Sequence, residues 1–542
     1  MSTKLFDKID RLLSRETGTI YKDPGGKVSV CLVYPNTYRI GMSNLGFQGI
    51  YGLLNSRSDV VCERAFLPDD DDIHIYRRSG TKIFSFESKR RLTDFDIIAF
   101  SLSFENDYPN IAKILDLAGI PLLASDRSGR YPLLISGGVC CFFNPEPVAE
   151  IFDIIFIGEA EGSLSEFMDS VRVSDDIKAS AATIDGVYVP SFYSLEYNQD
   201  GTIDKRVSLN NAPEKIKVTH VRDFSHRMTV TTPDSEFSGM CLIEVMRGCP
   251  WNCRFCLVGH IYNPPRKKDF GALQAEIESC GEKKSVGLIG PSLSDYPAIK
   301  EALIIPGVNF SITSLRAGES SGELVSLLKG NRSVSIAPEA GTERMRKVVN
   351  KKVTENDILS TAEVIAAAGI ETLRLYFMVG LPSETEDDIE GIINLVKKIR
   401  GCSAPGNIVL SVSSFVPKPF TPFQWHQMED IGTVKSKISR IKKSLINVKG
   451  VKVFNDVPKQ ARMQGLFSRG DRRLVRVIQA MAKTDDYAAV CKSAVIDIDS
   501  YVLRRRSFEE QLPWDFIEAG TDKKRLWQEY QAALSLKPEV IA

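Results

Sequence analysis

Three cysteines stand close together in the sequence, and their spacing is its strongest chemical signal. Cys249, Cys253 and Cys256 lie in EVMRGCPWNCRFCLVGH, a C-x3-C-x2-C pattern, whereas the other cysteines are scattered along the chain. Three thiolates on one short loop can ligate three irons of a [4Fe-4S] cube, because thiolate ligands suit iron–sulfur clusters. The fourth iron then has no protein ligand, so the pattern predicts a cluster with one open coordination site.

A zinc site is the alternative that these residues leave open. His260 follows Cys256 by four residues, so Cys249, Cys253, Cys256 and His260 could form a four-ligand set. Structural zinc sites usually draw two ligands from each of two separated knuckles, and a single histidine more often packs or hydrogen-bonds than ligates. The position of the cysteines directly after a predicted strand favours the cluster.

The elements that position this loop fall into two α/β regions. In the first, residues 26–180, apolar runs of strand length alternate with helical patterns; the runs are 28–35, 96–103, 132–138 and 153–159. This alternation predicts a doubly wound, Rossmann-like sheet of the flavodoxin type, with ligands at the carboxyl ends of its strands. Residues 1–25 are predicted to form a helical lead, and residues 181–238 a β-rich linker.

A second alternation begins at Met240 and contains the cysteine loop. Its strand-like runs are CLIEVM, SVGLIG, NFSITS, SVSIAP, LRLYFMVG and IVLSVSSF. Six β/α repeats over residues 239–425 predict a partial (β/α)6 barrel that is open on one side. Residues 426–542 are charged and mostly helical in pattern, and are expected to form a C-terminal domain.

The cysteine loop resembles that of the radical S-adenosylmethionine (SAM) enzymes, whose C-x3-C-x-Φ-C motif has an aromatic Φ. The stretches SVSIAPEAGTERMRKVVNKKVT and LRLYFMVGLPSETEDDI are similar to later strands of the subgroup shared by methylthiotransferases and cobalamin-dependent members. The resemblance implies that SAM chelates the open iron. The SAM-binding residues that it implies are Phe255, which is Φ, Ser314, Arg316, Glu339 and Gly380. The usual Gly-Gly-Glu after the second strand is replaced by Gly290-Pro291-Ser292, which leaves the partner of the SAM amino group unassigned.

The first α/β region resembles the cobalamin-binding domain that precedes the barrel in the largest radical SAM subclass. The matching stretches are SLSFENDYPN, LLISGGVCCFFNPEPVAEIFD and IIFIGEAEG. The cobalamin-binding residues that the resemblance implies are Ser103, Glu105, Asn106, Gly137, Gly138, Gly158 and Glu159. The cobalamin signature D-x-H-x-x-G is absent, because Arg77 follows Asp72 and His74 where glycine is required; His74 is therefore expected at the surface. A domain that packs but binds no corrin is the alternative.

The segment SVSSFVPKPFTPFQW ends the second alternation with prolines and aromatic residues at a strand terminus. In the family this segment leads toward the open mouth of the barrel, which makes Lys418, Thr421 and Trp425 candidate substrate-side residues. The alternative is a proline-stiffened exit from the last strand.

Charge and hydropathy restrict the partners. Lys plus Arg equals Asp plus Glu at 69 each, so nothing indicates a strongly basic nucleic-acid binder or a polybasic membrane anchor. The start, MSTKLFDKIDRLLSRE, lacks the apolar stretch of a secretory signal, and the longest apolar runs are too short to span a membrane. A cytoplasmic protein is expected.

The leading hypothesis from the sequence is a cobalamin-dependent radical SAM methyltransferase. It would transfer a methyl group through methylcobalamin to an unactivated carbon after a 5′-deoxyadenosyl radical abstracts hydrogen. The alternatives are a radical SAM cyclase, mutase or oxidative enzyme, a methylthiotransferase, and a non-catalytic sensor of cobalamin or SAM. The implied partners are an electron donor such as flavodoxin or ferredoxin and a substrate that is a small molecule, lipid or peptide.

Overall fold

The computed structural model describes residues 2–127, 129–224, 228–281, 284–312, 314–318, 321–328, 331–402, 405–484, 486–494 and 496–536. The chain forms two compact units. The first comprises Met1–Cys241, Phe467–Ile498 and Glu509–Ala519, and the second comprises Leu242–Leu466, Asp499–Phe508 and Gly520–Ala542. Within the described ranges, no helix has the length and apolar character needed to cross a bilayer.

A six-stranded sheet forms the centre of the first unit. Its strands are β1 Val28–Tyr34, β2 Val60–Phe66, β3 Ile97–Ser101, β4 Leu133–Gly137, β5 Ile154–Phe156 and β6 Val187–Tyr188. They are arranged in the order β2-β1-β3-β4-β5-β6, with β1 to β5 paired in parallel and β6 antiparallel to β5. The order 2-1-3-4-5 is that of flavodoxin-like sheets, and it confirms the Rossmann-like prediction for this region.

Strand β2, VVCERAF, is missing from the predicted strands because two charges interrupt its apolar run. Both charges are nevertheless buried. The Arg64 guanidinium lies 2.7 Å from Glu16 and 2.6 Å from Glu87, and the hydroxyl of Ser85 donates to the Glu63 carboxylate at 2.6 Å. Charges that are paired in this way can occupy the interior, so a hydropathy pattern alone does not detect the strand.

The remaining elements of this part of the chain are helices and short strands. The helices are α1 Ser2–Leu13, α2 Tyr38–Gly41, α3 Leu45–Ser56, α4 Asp70–Ser79, α5 Tyr108–Ala118, α6 Val139–Phe143, α7 Ala160–Val171 and α8 Ile177–Ala181. The region expected to be a β-rich linker, residues 181–238, contains β6 of the central sheet, an antiparallel hairpin and one further strand; the last three strands are β7 Tyr193–Tyr197, β8 Ile203–Ser208 and β9 Ile216–Lys217.

Two sheets and one short hairpin form the second unit. The strands are β10 Cys241–Glu244, β11 Met246–Arg247, β12 Arg266–Lys267, β13 Lys284–Ile289, β14 Val308–Ile312, β15 Ser333–Glu339, β16 Thr372–Val379, β17 Asn407–Ser414 and β18 Val451–Asn455. One sheet has the order β10-β13-β14 and the other has the parallel order β15-β16-β17-β18; a bridge between Leu315 and Ile336 joins them. All six predicted strands are present, and β18 is an additional one; their closure into a partial barrel stays a prediction.

Helices follow the strands of this unit as the alternating pattern predicts. They are α9 Val258–Ile261, α10 Phe270–Glu278, α11 Ile299–Leu303, α12 Ser321–Leu327, α13 Glu343–Val348, α14 Glu355–Ala367, α15 Glu386–Gly401 and α16 Ile431–Leu445. The start of α14 is specified locally, because Thr354 and Asp357 form a reciprocal capping box that satisfies its first backbone amides.

Residues beyond α16 are mostly helical. The helices are α17 Pro458–Arg469, α18 Val475–Met481, α19 Tyr487–Ser493, α20 Ile498–Val502 and α21 Lys523–Ser535, and β19 Ile517–Glu518 pairs in parallel with β9. These residues, expected from the sequence to form one C-terminal domain, are divided between the two units.

Candidate functional site

The three cysteines lie on the loop between strand β11 and helix α9. Strands β11 and β12 pair antiparallel and close the base of this loop. Gly248, directly before Cys249, has φ +85°, and a Cβ there would lie 2.1 Å from the carbonyl oxygen of Tyr262. Because a side chain would be strained by the dihedral and would clash with the backbone, only glycine fits where the loop begins.

The middle of the loop is held by the Cys253 backbone. The Cys253 carbonyl accepts a hydrogen bond from the Cys256 amide at 3.0 Å, and Nε2 of His260 lies 3.2 Å from the same oxygen. Burial lowers the pKa of His260 to about 4, so its ring is neutral near pH 7. His260 therefore has the hydrogen-bonding role that the sequence favours over zinc ligation. Across the described ranges, no three His, Cys, Asp or Glu side chains are placed to hold one metal ion.

Arg254 connects the loop to the end of helix α13. Its amide donates to the Val349 carbonyl at 3.0 Å, and its guanidinium donates to the carbonyls of Lys347 and Val348 at 2.9 and 3.0 Å. The same guanidinium lies 2.8 Å from Glu529 on α21. These contacts hold the backbone between the second and third cysteines against helices α13 and α21.

The thiols lie in an environment with positive charge nearby. Burial raises the pKa of all three thiols, that of Cys253 to about 11. Lys351 and Arg316 act in the opposite direction on Cys249 and Cys253 because their positive charges favour the thiolates. Iron ligation requires thiolates, so these two cations favour the charge state in which a cluster binds.

Arg316 lies against the cysteine loop. Its guanidinium carbon lies 3.6 Å from the ring centroid of Trp251, a cation–π contact with the residue between Cys249 and Cys253. The Trp251 indole N–H donates to Asp295 at 2.5 Å, and the Ser292 hydroxyl donates to the same carboxylate oxygen at 2.6 Å. Trp251 and Asp295 are absent from the predicted site. Asp295 follows the atypical Gly290-Pro291-Ser292 turn and is a carboxylate close to the loop.

Glu339 ends strand β15 in a conformation that is uncommon for a residue with a side chain. Its φ is +67°, in the left-handed region, which costs about 1–2 kcal/mol for a non-glycine residue. Burial raises the pKa of its carboxyl group, and the Lys351 ammonium lies 3.0 Å from one oxygen. Lys351, which the sequence analysis misses, therefore interacts electrostatically with both the thiols and Glu339. A strained backbone is commonly retained where function requires it.

The other predicted SAM residues have different surroundings. Phe255 on the loop is half-buried, and Ser314 is exposed two residues before Arg316. Gly380 has φ +82°, and its amide donates to the Glu384 carboxylate at 2.8 Å. Lys437 lies 2.8 Å from Glu384, so Gly380 belongs to a buried network of charged side chains at the end of β16.

Several predicted cobalamin residues in the first unit contact its own chain instead. A Cβ on Gly138 would lie 2.6 Å from the Leu102 carbonyl oxygen, and one on Gly158 would lie 2.7 Å from the Thr219 carbonyl oxygen. The Glu159 carboxylate accepts from the Val221 amide at 2.8 Å. The space beside Gly138 and Gly158 is therefore occupied by the protein's own backbone. That Gly138, Gly158 and Glu159 accommodate a corrin stays a prediction.

The other predicted cobalamin residues lie near the ends of β3 and β4. Ser103 follows β3 and accepts a hydrogen bond from the Asn44 side chain at 3.1 Å. Glu105 is buried and Asn106 is half-buried, both in the short 3-10 helix Glu105–Asp107, and Gly137 ends β4. Ser103 lies where strand order reverses between β1 and β3, which is where flavodoxin-like sheets bind ligands. His74 is exposed, as expected.

Two candidate substrate-side residues at the end of β17 are buried. Thr421 and Trp425 both have 0% exposure, whereas Lys418 is half-buried. The Trp425 ring packs edge-on against Trp527 with a centroid distance of 5.0 Å, and also contacts Tyr530 of helix α21. The substrate-side prediction is wrong for Thr421 and Trp425, because both are buried. The segment follows the end of β17, but helix α21, which is distant in sequence, packs over it.

Comparisons with known proteins show which family the chain is similar to. Residues 46–190 match the family described as Radical SAM proteins, N-terminal, and residues 243–396 match the Radical SAM superfamily. The Methanocaldococcus jannaschii protein named Uncharacterized protein MJ0966 is 31% identical over 496 residues, covering 90% of this chain and 98% of that relative. The tRNA-2-methylthio-N(6)-dimethylallyladenosine synthase of Acetivibrio thermocellus is 24% identical over 177 residues, covering 29% of this chain and 37% of the synthase.

One group of solved structures aligns with part of this chain. The cobalamin-dependent S-adenosylmethionine radical enzyme OxsB, solved with aqua-cobalamin bound, aligns with a TM-score of 0.48 and 16% identity. The alignment covers 70% of this chain and 53% of OxsB.

Proposed function

This chain belongs to the radical SAM superfamily, and from that premise we propose that Cys249, Cys253 and Cys256 hold a [4Fe-4S] cluster to which SAM binds. The observation that carries the proposal is the three-cysteine loop, on which Arg254 and the Cys253 carbonyl fix the backbone between the thiols. The thiol donor set suits iron–sulfur clusters. When bound, the reduced cluster supplies the electron that cleaves a C–S bond of SAM and yields a 5′-deoxyadenosyl radical.

We assign the surrounding residues to binding and orientation of SAM. The Arg316 guanidinium, stacked on Trp251, offers hydrogen-bond donors to a carboxylate, and guanidinium suits that role because of its planar donor geometry. Glu339 offers a carboxylate to hydroxyl or amino groups. Phe255, Ser314 and Gly380 remain proposed contacts on the resemblance alone. Asp295 is an additional candidate for the amino group, since it stands near the loop where the usual glutamate of the turn is missing.

The test is reductive cleavage of SAM by anaerobically reconstituted protein. With dithionite as the reductant, the wild-type protein is expected to form 5′-deoxyadenosine, and Cys253→Ala is expected to form none. Cys402→Ala is the matched control, since Cys402 is a free, half-buried cysteine outside the loop, and it should retain wild-type cleavage. Cleavage by Cys253→Ala would refute the cluster assignment. A fully loaded wild-type protein that forms no 5′-deoxyadenosine would instead support a sensor.

A second, finer proposal is that the enzyme is a cobalamin-dependent methyltransferase. The supporting observation is the 2-1-3-4-5 strand order with Ser103 and Asn44 at the point where the order reverses. Gly138, Gly158 and Glu159 give no support, for the reason above, and Glu105, Asn106 and Gly137 remain proposed contacts. Cobalamin, when bound, would supply a carrier for the methyl group.

Retention of hydroxocobalamin tests this second proposal independently of the cluster. The Cys253→Ala protein is incubated with hydroxocobalamin, desalted and examined by absorption spectroscopy. Corrin bands that remain at about one equivalent support the proposal. Bands that disappear on desalting refute it and leave the cyclase, mutase, oxidative and methylthiotransferase alternatives. An electron donor such as flavodoxin or ferredoxin is likewise a proposed partner.

A further inference from the structure

The sheet β15-β16-β17-β18 has one packed face, and its other face is open along β16 and β18 but buried at Ser335 of β15. Along β16, Leu373, Leu375, Phe377 and Val379 are buried, whereas Arg374 and Tyr376 between them are exposed. Helices α14, α15 and α16 follow these strands, and α16 contacts both β16 and β18. Since successive side chains of a strand point to opposite faces, Arg374 and Tyr376 lie on the open face.

Two exposed aromatic side chains are in register on this open face. Tyr376 on β16 pairs with Ser411 on β17, and Ser411 pairs with Phe454 on β18. Tyr376 is 40% exposed and Phe454 is 58% exposed. Paired residues of parallel strands share a face, so the two rings stand two strands apart, about 9.6 Å, with a small serine between them.

Two cations occupy the same arrangement two residues earlier. Arg374 on β16 pairs with Val409 on β17, and Val409 pairs with Lys452 on β18. Both Arg374 and Lys452 are exposed. Across the part of the chain that the structure describes, no ion pair involves Arg374 or Lys452. The open face therefore carries two uncompensated positive charges beside two aromatic rings.

We propose that this face binds the substrate and that the substrate contains a planar aromatic ring bearing an anionic group. A planar ring inserted between Tyr376 and Phe454 would lie about 4.8 Å from each, within the usual stacking range of about 4.5–7 Å. Arg374 and Lys452 would then pair with the anionic group. The strand register and the exposed charges are the evidence for a binding surface. That its ligand is the enzyme's substrate rests on the proposed function.

Binding of a simple probe tests the proposal on the full chain. The probe is naphthalene-2-sulfonate, measured by isothermal titration calorimetry. Naphthalene-2-methanol lacks the charge and cyclohexanesulfonate lacks the planar ring, so both should bind much more weakly. Phe454→Leu and Tyr376→Leu should each weaken sulfonate binding about tenfold, the scale of one lost stacking contact. The double variant Arg374→Gln and Lys452→Gln should weaken binding similarly and reduce its dependence on salt.

Matched controls separate the site from general effects. Tyr21→Leu removes an aromatic ring that is 64% exposed elsewhere, and Lys442→Gln removes an exposed cation on α16; both should bind like wild type. Three results would overturn the proposal. They are binding of cyclohexanesulfonate as tight as that of naphthalene-2-sulfonate, wild-type affinity in the variants of Tyr376, Phe454, Arg374 and Lys452, or a loss of affinity in the two control variants as large as in these.

The proposal and the proposed function fail in distinguishable ways. Probe binding needs no cluster, so it is also measured with Cys253→Ala. In the reconstituted wild-type protein, intact probe binding together with absent SAM cleavage would refute the proposed function and the substrate assignment but keep the binding site. Absent binding together with SAM cleavage would refute the site alone.

Discussion

Replacing Gly248 by alanine tests whether the cysteine loop is preformed. Alanine in the left-handed region costs about 1–2 kcal/mol. At this position its Cβ would also lie 2.1 Å from the backbone oxygen of Tyr262, so the loop or the facing chain must move by about 1 Å. Overpacking of that kind costs about 1–3 kcal/mol more.

Gly369→Ala provides the reference. Gly369 has φ +76°, and a Cβ there would meet nothing within 4 Å, so this variant carries the dihedral cost alone. The difference between the two variants, about 1–3 kcal/mol, corresponds to about 5- to 150-fold in the population of the loop conformation that the structure shows.

The assay is the iron and acid-labile sulfide content per chain after reconstitution at limiting iron. Gly248→Ala should load clearly less cluster than Gly369→Ala, which should load like wild type. Equal loading of the two variants would refute the reasoning, because it would mean that the loop has no fixed conformation for the added methyl group to disturb.

Two further predictions concern buried charges. Lys437→Met should destabilise the second unit by about 3–5 kcal/mol at pH 8, because the buried Glu384 carboxylate loses its ion-pair partner. Burial raises the pKa of Glu384 to about 7, so the carboxyl group is mostly neutral at pH 6 and the loss of stability should be smaller there. Urea unfolding of the wild-type and variant proteins at both pH values measures this difference. Burial opposes ionisation of Glu146, but Arg472 and Arg206 lower its pKa to about 2; its stabilisation is present above the unfolded pKa of about 4.5 and is lost as pH falls toward 2. In the Glu146→Gln variant, the loss of unfolding free energy between neutral pH and pH 2 should be smaller by up to about 3 kcal/mol. If the slope of unfolding free energy against pH is the same in the variant and the wild type, the pairing of Glu146 with Arg472 and Arg206 does not stabilise the protein as described.

Local patterns in the sequence predict much of the fold. The apolar runs of β1, β3 and β4 are recognisable because these parallel strands are buried on both faces. The six strands of the second alternation are recognisable as short apolar runs that alternate with helical patterns. Strand β18, VKVFN, is not recognised because its open face carries Lys452 and Phe454, which makes the run look amphipathic and charged. The same two residues are those that the proposed binding face uses.

Long-range packing is what the sequence does not reveal at the site. Cys249, Cys253, Cys256 and Arg316 follow from a motif and its neighbours, but Lys351 and Asp295 reach the loop only through the fold. Gly138 shows a second limit of the sequence. A glycine at a strand end indicates that another group lies close to the backbone, but the sequence does not identify that group, which here is the Leu102 backbone.

Electron paramagnetic resonance of the dithionite-reduced, reconstituted protein, recorded with and without SAM, tests the central claim most directly. The account predicts about four irons per chain and a reduced cluster whose spectrum changes when SAM is added, because one iron lacks a protein ligand. Cys253→Ala should give no such signal. A reduced cluster in the wild-type protein whose spectrum is identical with and without SAM would contradict the account.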